Sequence, residues 1–67
     1  MKFSEKLKLV RNKLLISQEK LAHEIGVSFA TISRLENNRT EPSLSTRRSF
    51  FELCKKHGII FDGEGSN

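Results

Sequence analysis

Apolar positions along this chain recur at helical spacing, broken by short polar turns. Phe3, Leu7, Val10 and Leu14 fall four, three and four residues apart, one stripe of an α-helix, and Leu9 widens it. Lys2, Lys6, Lys8 and Lys13 lie mainly off that stripe. Ser4 is the expected N-cap, with Phe3 just outside as a staple, and the helix should fade at Leu15 and Ile16.

Residues 17–25 and 28–37 form two short amphipathic segments hinged at Gly26 and Val27. Ser17 can cap the first, and Glu19 sits where the positive end of the helix dipole favours an anion. Leu21, Ala22 and Ile25 make its inward face, leaving Lys20, His23 and Glu24 outside, and Gly26 supplies the positive φ that stops it. After the cap Ser28, only Ile32 and Leu35 point inward, so the opposite face is free to touch something else. Two short helices meeting at a glycine-containing turn are the pattern of a helix-turn-helix, whose second helix enters the DNA major groove.

Asn37, Asn38, Arg39 and Thr40 read as a turn, since asparagine tolerates the left-handed region. Pro42 holds Glu41 out of helical geometry and Ser43 caps a last helix, which Gly58 ends. Leu44, Phe51 and Cys54 are placed on its buried face, broadened by Phe50 and Leu53. Arg47 shares that face, an odd residue for a core unless its stem packs and its head escapes. Ile59, Ile60 and Phe61 are β-prone and predict a short strand or extended arm, pairing with its copy across a two-fold axis or lying on the core. The Gly, Ser and Asn residues after it predict a loose terminus. The expectation is an all-α domain over residues 1–58 and a C-terminal arm over residues 59–67.

Size and charge narrow the function. A chain of 67 residues with one cysteine has no internal disulfide, and two histidines with Cys54 cannot complete a four-ligand zinc site. Stability must come from helix packing, helped by dimerisation. Residues 1–56 hold all 12 Lys and Arg against 6 acids, a balance of +6, so the body is more basic than the tail carrying Asp62 and Glu64. That asymmetry fits a polyanionic partner, or simply a solvated lysine-rich surface. The first residues lack the apolar run of a signal peptide and no stretch approaches a membrane span, so a cytoplasmic location is expected.

The series Gln18, Leu21, Ala22, Ile25, Gly26, Val27, Ser28, then Thr31, Ile32, Ser33, Arg34, Leu35, Glu36 and Asn37, then Arg39, Thr40, Pro42, Ser43 and Leu44, resembles the phage repressor/Cro type of helix-turn-helix domain, the XRE-like regulators. The resemblance spans about residues 5–57 and implies a compact four- to five-helix repressor-like fold that binds double-stranded DNA. It places base-edge contacts at Ser28, Phe29, Ala30, Thr31, Ser33 and Arg34. It places phosphate contacts at Gln18, Asn37, Asn38, Arg39 and Thr40, and a structural ion pair at Arg11 and Glu36. Binding as a homodimer, at least on DNA, is implied, with transcriptional repression the expected outcome.

The side chains add chemistry and alternatives. Arg34 can offer a bidentate fork to guanine, whereas Phe29 and Ala30 stand where polar residues often do, and can read only thymine methyls or leave bases unread. Phe29 could equally fold back as a core or partner-facing ring; Gln18 could be an exposed helix-start residue, and Arg39, Arg47 and Arg48 ordinary solvated charges. Cys54 and His57 lie one turn apart, but a small core residue and a helix-end histidine account for them, and no catalytic set or phosphate loop is visible. No enzyme, cofactor or metal is expected. Two alternatives remain: an antitoxin-like module that grips a toxin or other protein and binds DNA to regulate itself, and an interaction domain that keeps the fold without DNA affinity.

Overall fold

The computed structural model describes residues 1–61 and contains four helices: α1 Phe3–Leu14, α2 Gln18–Ile25, α3 Phe29–Glu36 and α4 Leu44–Lys56. No strand occurs among the described residues. The all-α expectation therefore holds. The expectation for the tail beyond Phe61 lies outside the described residues.

Three of the four helices start on the serine their sequence suggests. The hydroxyls of Ser17, Ser28 and Ser43 accept from the backbone N–H of Lys20, Thr31 and Thr46 respectively. Helix α1 differs, because it begins one residue before the expected cap. Lys2 is its N-cap, and the Lys2 backbone N–H donates to Glu5 Oε1 at 2.8 Å. Ser4 lies inside the first turn and is buried, and Phe3 is helical, so its ring can lie on α4. The other end of α1 turns on Leu15, held at φ 56° with its side chain in solvent, which returns Ile16 to the core.

Helix α2 ends at Gly26, φ 77°, with the Val27 N–H reaching back to the Ala22 carbonyl at 2.9 Å. Asn38, φ 57°, does the same service after α3, where the Arg39 N–H bonds the Arg34 carbonyl at 2.9 Å. These two closures set where α3 begins and where the chain leaves it.

Leu7, Val10, Leu21, Ile25, Ile32, Leu35, Phe50, Leu53 and Cys54 form the buried core. Helix α3 packs against both α1 and α2, and α2 also packs on α4. On α4 the buried stripe is Thr46, Phe50, Leu53 and Cys54. Leu44, placed on the buried face by the spacing, is instead 63% exposed, because the stripe is centred on Phe50 rather than Phe51. Phe3, Phe50, Phe51 and Phe61 make one aromatic cluster, with ring centroids 5.0–6.5 Å apart. Phe61 stacks on Phe50, so Ile59, Ile60 and Phe61 form no strand and carry the arm onto the core.

Two cations belong to this cluster. The Arg47 guanidinium lies 5.3 Å from the Phe3 ring centre, which accounts for an arginine on a packed face. Lys6, expected mainly off the α1 stripe, is buried, its Nζ 5.4 Å from the Phe51 ring and 5.5 Å from the Phe61 ring. The arm supplies the ring that covers it, which the periodicity of α1 alone does not register.

Candidate nucleic-acid interface

The site is built outward from one carboxylate. Glu36 ends α3 with its side chain 3% exposed, and three donors meet it. Arg11 of α1 gives Nε to Oε2 at 2.6 Å and Nη2 to Oε1 at 3.0 Å, a two-point fork. Gln18, at the head of α2, gives Nε2 to Oε1 at 2.9 Å. The carboxylate hydrogen bond raises the Arg11 pKa further. Arg11 also points Nη1 at the Ile16 carbonyl, 3.5 Å away, so it touches the α1–α2 connection as well. One side-chain cluster thus joins α1, α2 and α3 and fixes the angle at which α3 stands on the body.

The same cluster shapes the field of α3. Glu36 is the sole acid in the FATISRLE sequence of the helix, and the Arg11 guanidinium neutralises it inside the fold. What the helix presents to solvent is therefore Phe29, Ala30, Arg34 and the Asn37 that follows, all exposed, with Thr31 and Ser33 half-buried beside them. No acid among the described residues pairs with Arg34 or Arg39.

The expected site residues fall into distinct settings. The Ser28 and Thr31 hydroxyls are 2.9 Å apart and hydrogen-bonded to each other, and Ser28 Oγ also accepts from the Thr31 N–H at 3.1 Å. Their first commitment is to the helix start. Phe29 is 52% exposed, so it has not folded back into the core. Asn37 donates Nδ2 to the Ser33 carbonyl at 2.8 Å, bracing the helix end, while Asn38, Arg39 and Thr40 run on exposed along one loop.

Gln18 is the residue whose setting the sequence did not reveal. Reading it as a helix-start group that reaches a phosphate is incomplete, because Glu36 already holds its amide. A carboxylate at neutral pH only accepts, which fixes the amide nitrogen on the Glu36 side. The second N–H of that nitrogen is left for another acceptor. A glutamine and a glutamate eighteen residues apart on the two helices of the motif were the available signal.

Cys54 is buried, and desolvation pushes its thiol up to about 11, which leaves it a neutral core group. Among the described residues no helix is long and apolar enough to cross a membrane.

No curated protein matches the chain. A family model described as helix-turn-helix matches residues 7–46, from the middle of α1 into the first turn of α4. That span contains Arg11, Gln18 and Glu36, the turn at Gly26 and the whole of α3, and it covers more than half of the sequence. The chain belongs to the XRE-like helix-turn-helix family of DNA-binding transcription regulators.

Proposed function

We propose that this protein is a repressor that lays α3 in the major groove of a double-stranded operator and grips the flanking backbone from both ends of the helix-turn-helix. The observation that carries the reading is the outward face of α3. It combines exposed groups, a guanidinium with no acid partner among the described residues and no free carboxylate, because the only acid of the helix is turned inward and neutralised by Arg11. Such a face costs little to bring against a polyanion.

In this arrangement Arg34 forks onto a guanine through O6 and N7. Phe29 and Ala30 meet base edges nearest the helix start, and Ser28, Thr31 and Ser33 supply the margins of the contact. On one side the second amide hydrogen of Gln18 goes to a phosphate, its direction set by the bond to Glu36. On the other, Asn37, Asn38, Arg39 and Thr40 follow the backbone past the end of α3. One such module buries little surface, so the functional unit is a two-fold homodimer with recognition helices about 34 Å apart on one face of the duplex.

A salt titration tests the phosphate half of this reading. Binding to a duplex about three turns long should weaken steeply between about 50 and 200 mM salt, as counterions released by phosphate contacts set the slope. Arg39→Ala should reduce the steepness of log K against log salt by about one. An unchanged slope in that variant would remove Arg39 from the backbone contacts, and affinity indifferent to salt would contradict the mechanism.

A further inference from the structure

We propose that the start of α3 reads the C5-methyl groups of adjacent thymines, with Phe29 and Ala30 as the reading residues and Arg34 taking a neighbouring guanine. The inference rests on α3 entering the major groove, and it names what that helix selects there.

Phe29 is the anomaly that motivates it. Of the five phenylalanines in the chain, four pack together around Phe50, and Phe29 alone faces solvent at 52% exposure. Leaving a ring in water has a cost that a contact elsewhere can recover. Its position is the first residue of α3, beside Ala30, whose side chain is a methyl group.

The polar alternatives at this end of the helix are already committed. Ser28 Oγ accepts from the Thr31 N–H, and the two hydroxyls bond each other at 2.9 Å. Neither the Phe29 nor the Ala30 side chain can donate or accept. In the major groove adenine, guanine and cytosine are told apart by their hydrogen-bonding groups, and thymine alone adds an apolar methyl, at C5. An aromatic ring pressed over a cytosine amino or a guanine O6 would strip water from it without a replacement. Over thymine methyls the ring gains apolar contact instead. Arg34 lies four residues beyond Ala30, on the same strip of the helix and without an acid partner among the described residues, so the polar part of the reading falls one step along the groove.

Deoxyuridine differs from thymidine by that methyl alone, which gives a direct test. Sequences would be selected from a random-core duplex library about three helical turns long, then remade with thymine or with deoxyuridine throughout, and binding followed by fluorescence anisotropy. The wild-type protein should prefer the thymine form by about fourfold for each methyl covered. Phe29→Ala should cut the preference to the small share left to Ala30 while melting as the wild type does, since the Phe29 ring is not part of the buried core. Equal affinity of the wild type for both forms, with its sequence preference intact, would overturn methyl reading and leave α3 in the groove. A full preference retained in Phe29→Ala would overturn the assignment to that ring. Absence of sequence-selective binding to either form would overturn this inference together with the groove placement beneath it.

Discussion

Arg11→Met is expected to destabilise the fold by about 2–4 kcal/mol, a loss that a thermal melt followed by circular dichroism should register as a fall of ten degrees or more. The side chain removed is the two-point partner of a carboxylate that is almost wholly inside the protein. With Arg11 gone, Glu36 keeps one hydrogen bond, from Gln18, and no compensating charge. Taking one member from a buried pair leaves the desolvation of the other uncovered, and that accounts for the size of the effect. A quarter of the Arg11 side chain is in solvent, which keeps the expectation below the largest values known for such pairs. The double variant Arg11→Met, Glu36→Leu should recover most of the lost stability, because no charge is then left inside. It should still bind DNA less tightly than the wild type, since Gln18 loses the acceptor that aims it. A single variant as stable as the wild type would show that the pair does not set the position of α3.

Phe50→Ala is expected to abolish the cooperative unfolding transition altogether. Phe50 is fully buried, and three other rings pack against it from α1, from its own helix and from the arm. Removing a buried phenyl group costs about 3–5 kcal/mol when the neighbours cannot close the cavity. A domain of this size has a total of about that much from one hydrophobic core. Far-ultraviolet circular dichroism should therefore show reduced helix content at room temperature and no sharp melt. A transition within a few degrees of the wild type would mean that Phe3, Phe51 and Phe61 repack around the hole.

The helices and their starts were readable because each rests on local chemistry. Serine before an amphipathic run, glycine or asparagine after it, and apolar residues at helical spacing act within a few residues of one another, so α2, α3 and α4 lie close to where the sequence places them. Misplacements arose where contacts are long-range. Ser4 is a good cap in isolation, yet capping α1 two residues earlier, at Lys2, lets Phe3 lie on α4. Lys6 is polar by composition and buried by geometry, because Phe51 and Phe61 arrive from the other end of the chain. Leu44 fits a spacing whose centre turned out to be the neighbouring residue. In the candidate site the same division holds. The exposed positions of α3 follow from its narrow apolar stripe, whereas the grip of Gln18 on Glu36 depends on how two helices cross, which periodicity does not encode.

Selection of duplex sequences by the wild-type protein and by Arg34→Ala, carried out side by side, is the most direct test of α3 as the reading element. The wild type should enrich a two-fold symmetric site whose half-sites are about one helical turn apart, with a guanine fixed at one position of each half. Arg34→Ala should return the same site with that one position relaxed. Enrichment of an identical site by both proteins, guanine included, or of no site by either, would contradict the account.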